Sequence, residues 1–211
     1  MGKTRIGIIG SGNMGSAFAK RLARAGHDVV ITAKDVAHAE KAATAAGSNA
    51  RAVSRNDIGR AADVLILATP YAAATDALNA AGDVNGKTVI DISNPLKPDM
   101  SGLVVGHTTS AAEEIQKAFP RAHVVKAFNT IFAPVLGSES DQRKAQVFFA
   151  GDNAEAKEAV RAVIESIGFE AVDAGPLANA RYLEPLGMLS IHLGYVAGRG
   201  TGIGAAFVSI A

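Results

Sequence analysis

The chain contains no cysteine. That single absence excludes disulfides, thiolate nucleophiles, iron–sulfur clusters and cysteine-ligated zinc. Its histidines, at positions 27, 38, 107, 123 and 192, share no metal-ligand spacing, and no H-x-x-x-H pair occurs, so no metal site is expected. A charge imbalance is lacking too: 21 Lys and Arg against 20 Asp and Glu leave a formal +1. Near-balance argues against nucleic acid or an acidic membrane as partner. No run suits a membrane span, because the long apolar region Leu186–Ala211 is broken by His192 and Arg199 and carries six glycines. The first strand starts almost at the N-terminus, which leaves no room for a signal peptide and points to a cytoplasmic protein.

What is present is core-forming material. Hydrophobic residues make up 48% of 211 positions and charged ones 19%, enough for one α/β domain of ordinary size. The organising stretch is Ile6–Gly26. Ile6, Ile8 and Ile9 form a short apolar run read as a buried parallel strand. Gly10-Ser11-Gly12-Asn13-Met14-Gly15 follows with the spacing GxGxxG. Met14, Phe18 and Leu22 then recur at helical spacing, and Gly26 stands where a helix ends. In that context the first glycine permits the turn off the strand, the second lets backbone approach a pyrophosphate, and the third allows close helix–strand packing. The helix N-terminus offers unpaired N–H groups to phosphate. A dinucleotide site is expected here, the alternative being a bare glycine turn.

Strands are expected at Asp28–Ala33, Arg51–Val53, Asp63–Ala68, Lys87–Ile92, His123–Phe128, Gln146–Ala150 and Glu170–Val172. Helices are expected at Val36–Ala46, Asn56–Ala61, Tyr71–Ala81, Ala111–Phe119, Ala154–Ile167 and Asn179–Val196. Glu113 and Lys117, at i,i+4 on one of them, suggest a solvated face. Such alternation implies a Rossmann-type, doubly wound, mostly parallel α/β sheet. The polar loop Gly137–Lys144 marks the end of the core. This gives a dinucleotide-binding core over 1–143 and a small C-terminal α/β extension over 144–211 packed on the same unit.

The end of the second strand discriminates the two nicotinamide dinucleotides. A carboxylate there bonds the ribose 2′-hydroxyl of NAD, and a basic residue suits the 2′-phosphate of NADP. The sequence reads Thr32-Ala33-Lys34-Asp35, so Lys34 favours NADP(H), whereas a strand one residue longer would bring Asp35 to the ribose and favour NAD. Ser11 and His38 are further candidate donors, His38 being equally readable as an exposed helix residue. Ligands of open α/β sheets bind outside the carboxyl ends of the strands. Those ends carry Ala68-Thr69-Pro70, Ser93-Asn94-Pro95 and Phe128-Asn129-Thr130, small or amide residues that pair with ribose or a carboxamide or simply start turns. No His–Asp or Lys–Glu constellation is evident beside them, so no acid–base residue is assigned. Hydride transfer between stacked rings relies on positioning instead.

With these motifs in place the chain resembles the NADPH-dependent reductases of the deazaflavin coenzyme F420, a fold shared with the cytosolic domain of six-transmembrane metalloreductases. The resemblance is carried by GSGNMG at Gly10–Gly15, Lys34, LATP at Leu67–Pro70, DISNPL at Asp91–Leu96, VVKAFNT at Val124–Thr130 and DAGPLANARYLE at Asp173–Glu184. It implies Ser11, Lys34 and His38 near the 2′-phosphate, and Gly12, Asn13 and Met14 along the pyrophosphate. It further implies Ala68, Thr69 and Pro70 flanking the cofactor, with the nicotinamide facing Ser93–Leu96 and Asn129. A flat acceptor, coenzyme F420 or a flavin, would stack beneath Leu186–Leu189. The readings kept beside it are an imine or small-carbonyl reductase and an NADPH-binding sensor without turnover. The apolar C-terminal segment is expected either to form a homodimer contact or to fold back on its own sheet.

Overall fold

Because the strand sequences are apolar at nearly every position, both faces of the sheet must be covered, and they are. The computed structural model describes residues 4–138 and 145–210. The first half runs β1 Arg5–Ile9, α1 Asn13–Arg24, β2 Asp28–Thr32, α2 Val36–Ala46, β3 Ala50–Ala52, α3 Ile58–Ala61, β4 Val64–Leu67 and α4 Tyr71–Asn79. The second half runs β5 Thr88–Asp91, α5 Ala111–Ala118, β6 His123–Ala127, α6 Ala133–Gly137, β7 Gln146–Gly151, α7 Ala154–Ser166, β8 Glu170–Asp173 and α8 Ala180–Ile191. A π-turn, His192–Val196, continues α8. The sheet order is β3-β2-β1-β4-β5-β6-β7-β8. Every pairing is parallel except β6 with β7. The first six strands thus follow the doubly wound dinucleotide-binding order, whose switch point lies between β1 and β4. The expected boundary near residue 143 lies outside the described residues.

Period-two alternation sorts the strand side chains between the two layers. Ile6, Ile8, Ile31 and Ile66 join Phe18 and Leu22 of α1 and Val160 and Ile164 of α7. Ile9, Val30, Leu65 and Leu67 join Ile58 of α3, Leu78 of α4 and Ile115 of α5 on the other face. Gly7 explains how close α3 lies: a Cβ there would sit 2.7 Å from Leu65 and 2.9 Å from Ala62. Burying each such Leu or Ile contributes roughly 1.5–3 kcal/mol.

One local expectation is corrected, and one alternative is decided for the end of the chain. Glu113 does not pair with Lys117; it accepts two hydrogen bonds from Arg181 of α8, at 2.8 and 2.5 Å, and so ties α5 to α8. The end of the apolar tail folds back on the sheet. Gln146 of β7 clamps the backbone of Phe207, donating to its carbonyl at 3.0 Å and accepting from its N–H at 2.7 Å. The Phe207 ring stands edge-on to Phe148 at 5.5 Å.

Candidate functional site

The glycine turn is built as its spacing requires. Gly10 has φ +116°, and a Cβ on it would meet the Ala68 carbonyl oxygen at 2.4 Å. A Cβ on Gly15 would lie 1.9 Å from the Gly10 oxygen, so α1 could not approach β1 with any other residue there. Gly12 is different: nothing lies within 4 Å of its missing Cβ. It N-caps α1 without a side-chain bond, leaving the first turn's N–H groups to whatever approaches. The Ser16 hydroxyl braces the turn by donating to the Ser11 carbonyl at 2.9 Å.

A cleft of about 510 Å³ opens at this point, at the switch between β1 and β4. Gly10, Ser11 and Gly12 line it from one side, Thr32, Ala33 and Lys34 from the end of β2, and Ala68, Thr69 and Pro70 from the end of β4. Ala73, Asp76 and Ala77 of α4 complete the wall together with Arg55, which the sequence reading missed. β2 ends at Thr32, and Asp35 is occupied as the N-cap of α2, accepting from the Ala37 N–H at 2.9 Å. Asp35 does not line the cleft, whereas Lys34 does. His38 does not line the cleft; its Nδ1 lies 4.0 Å from Asp35 on the exposed side of α2.

The other half of the site sits past β5 and β6. Phe128 has φ +63°, which a bulky residue rarely adopts, and its ring is anchored edge-on between Phe18 at 5.0 Å and Phe169 at 6.2 Å. The packed ring holds the backbone in a sharp turn, and the turn delivers Asn129. Asn129 Nδ2 donates to Asn94 Oδ1 at 2.9 Å and to the Leu183 carbonyl at 2.6 Å, while Asn94 Nδ2 donates to the Asn129 carbonyl at 2.8 Å. Gly187 of α8 lies against this amide pair so closely that a Cβ would be 2.4 Å from Asn94 Oδ1. Beside them is a chamber of about 260 Å³ that reaches Asn13 and Met14 of α1 and is walled by Ile92, Phe132, Ile191 and Tyr195.

Beneath both loops lies a charge cluster that sequence reasoning did not find. Lys126 Nζ is 2.8 Å from Asp91 Oδ2 and 2.8 Å from Glu184 Oε1, and donates to the Ser93 carbonyl at 2.5 Å. All three side chains are at most 1% exposed. Glu184 also accepts from the Ala111 and Ala112 N–H groups at the start of α5, at 2.9 and 3.3 Å, and Asp91 accepts from the Ser93 N–H at 3.0 Å. Desolvation works hardest on Lys126 and lowers its pKa, yet Asp91 and Glu184 together outweigh it and the net direction is upward. The ammonium is therefore held charged, and through Ser93 it fixes the loop that carries Asn94. The available signal was the single charge inside the apolar run VVKAF. Tyr71, at the start of α4, donates to Glu114; burial first, then that bond, pushes its pKa up to about 12.

Among the described residues, four buried side-chain polar atoms lack a hydrogen-bond partner. Three of them, Thr69 Oγ1, Ser93 Oγ and Asn129 Oδ1, belong to the three loops at the carboxyl edge. Leaving such atoms unpaired costs about 1–3 kcal/mol each. Two hydroxyls and an amide oxygen suit ribose hydroxyls and a carboxamide, so the residues present fit a nicotinamide dinucleotide.

Comparison with known proteins gives the family and the fold. The F420-dependent NADP reductase of Methanothermobacter thermautotrophicus is 32% identical over 208 residues, which cover 90% of this chain and 88% of that one. The chain belongs to the F420-dependent NADP reductase family. The model of the family described as NADP oxidoreductase, coenzyme F420-dependent, matches residues 5–95, from β1 through the loop after β5. Membership places the chain among NADP-dependent oxidoreductases. Metalloreductase STEAP3 of Rattus norvegicus is 31% identical over 182 residues, but the match spans 86% of this chain and only 36% of that longer protein. A crystal structure from Arthrobacter sp. FB24, provisionally described as an F420-dependent NADP reductase, superposes with a TM-score of 0.83 at 29% identity, covering 94% of this chain and 96% of that one.

Proposed function

We propose that the protein transfers hydride between NADPH and a planar deazaflavin or flavin acceptor. The observation that carries this reading is the trio of unpaired polar atoms on the three carboxyl-edge loops: Thr69 Oγ1 on a residue lining the glycine-turn cleft, Asn129 Oδ1 on a residue lining the apolar chamber that reaches the α1 N-terminus, and Ser93 Oγ on the residue before Asn94. In this reading the diphosphate rests on Gly10–Gly15, with Asn13 and Met14 in the first turn of α1. Ala33 and Lys34 take the phosphorylated ribose together with Ser11, and Ala68, Thr69 and Pro70 flank the nucleotide. The nicotinamide lies against Ser93, Asn94, Pro95 and Asn129. When bound, NADPH supplies the hydride; the chain orients it. The amide pair of Asn94 and Asn129, locked by Gly187 and by the buried Lys126, gives the ring a rigid bed, and the walls of Ile92, Phe132 and Tyr195 leave an apolar slot for a second flat ring. Stacking two rings at contact distance supplies much of the rate without a protein acid or base.

Oxidation of NADPH by the purified protein, followed by absorbance with a deazaflavin, FMN and a cyclic imine as acceptors, tests this. Turnover with the deazaflavin or FMN is expected; turnover with the imine alone refutes it, and tight binding without turnover to any acceptor assigns a sensor role. The exposed Tyr182, Leu189, Tyr195 and Val196 of α8 and the turn after it support a homodimer, since a second copy would cover them. Light scattering on the full chain decides that point, a monomer contradicting it.

A further inference from the structure

The lining of the cleft includes two side chains of opposite charge that the glycine turn and the end of β2 do not supply. Arg55 opens the short 3-10 turn after β3, and Asp76 lies on α4, one turn beyond Ala73. Both line the cleft, with Ala33, Ala73 and Ala77 as small apolar walls nearby. The carboxylate nearest to Arg55 in sequence is already taken: Asp57 accepts from the Ser54 hydroxyl at 2.7 Å and pairs with Arg60 at 2.7 Å. Arg55 and Asp76 do not pair with each other, so the space between them is open to a ligand.

Asp76 is solvent-exposed where it lines the cleft, so a multiply phosphorylated ligand gains nothing from it except through a hydrogen-bond donor. Asp76 is acceptor-only when ionised. At the nucleotide end of NADP(H), beyond the phosphorylated ribose, the N–H donor is the amino group of the adenine base. Arg55 brings a planar cation that stacks well on an aromatic face.

We propose that Asp76 is a specificity-determining residue that accepts a hydrogen bond from the adenine amino group, with Arg55 closing the base slot from the opposite wall. The inference rests on the reading that NADP(H) occupies this cleft. It assigns purine recognition to α4 and to the turn after β3, neither of which belongs to the glycine turn or to the Lys34 region.

The test is equilibrium binding of NADP+ and of its etheno-adenine analogue, whose bridged base carries no amino hydrogen, by calorimetry and by the fluorescence of the analogue. The wild-type protein is expected to prefer NADP+ by about tenfold, the scale of one hydrogen bond to a charged group. Asp76→Ala should erase that preference. Asp76→Asn, which keeps a carbonyl acceptor, should retain most of it, and Arg55→Ala should weaken both ligands alike. A wild-type protein that binds both equally, or an Asp76→Ala variant that still discriminates as the wild type does, overturns this inference alone. Failure of the wild type to bind NADP+ at all overturns the cofactor reading, and this inference with it.

Discussion

Replacing Lys126 by methionine keeps most of the side chain's volume and removes its charge from a site with no exposure. The ammonium contacts two carboxylates, each at 2.8 Å. At an effective dielectric of about 20, unit charges at that separation attract by roughly 6 kcal/mol per pair. Desolvation consumes much of this gross attraction, so the intact cluster is worth far less than the sum. The variant is another matter, because Asp91 and Glu184 stay buried and lose their common counter-ion. Stranding buried charge in this way costs about 3–5 kcal/mol, a large share of the 5–15 kcal/mol that holds a typical domain folded. Urea unfolding followed by circular dichroism, with wild type and variant in the same buffer, should show a loss of that size. Adding Glu184→Gln to Lys126→Met removes one stranded charge and should recover at least about 1 kcal/mol. A Lys126→Met protein within about 0.5 kcal/mol of wild type would refute this electrostatic reasoning, as would a double variant whose losses simply add.

The glycine turn gives a contrast between two similar substitutions. Gly15→Ala must displace the Gly10 carbonyl and should lower stability by about 1–3 kcal/mol or more, whereas Gly12→Ala meets open space and should cost only the N-cap preference, under about 1 kcal/mol, while weakening NADP+ binding; equal midpoints for the two would contradict the packing argument. Lys34→Ala should weaken NADPH binding about tenfold to a hundredfold, from the loss of roughly 1.5–3 kcal/mol in a charged hydrogen bond; unchanged NADPH affinity with reduced NADH affinity would reverse the cofactor assignment. His27, buried against the Ser166 hydroxyl at 2.8 Å, has its pKa lowered by burial. The unfolded chain then takes up a proton near pH 6.5 that the folded protein accepts only at lower pH, so this contribution to stability is complete above about pH 6.5 and is lost as pH falls through that value. His27→Gln should flatten the urea midpoint between about pH 7 and 5, and a steeper slope in the variant would contradict the direction of the shift.

Most of the fold was legible in the sequence because its strands are uninterrupted apolar runs and its helices are punctuated by glycine and by capping residues. Val36–Ala46, flanked by Asp35 and Gly47, was delimited to the residue. The nucleotide half of the site was legible for the same reason, since GxGxxG and the end of β2 are local patterns. What sequence could not supply depends on side chains brought together from distant elements. Arg55 enters the cleft only because β3 pairs with β2 at the sheet edge. Lys126, Asp91 and Glu184 are separated by 35 and more positions and meet only after β5, β6 and α8 are packed. His38 could be read from its helical spacing either as a donor or as an exposed helix residue; it lies exposed on α2, 4.0 Å from Asp35, outside the lining of the cleft.

The most direct measurement is a crystal structure with NADP+ bound. The diphosphate is expected against the backbone N–H groups at the start of α1, the 2′-phosphate beside Lys34, and the nicotinamide on Asn94 and Asn129 with one face open to the chamber near Tyr195. Density for the dinucleotide elsewhere, or a glycine turn left empty at saturating NADP+, would contradict it.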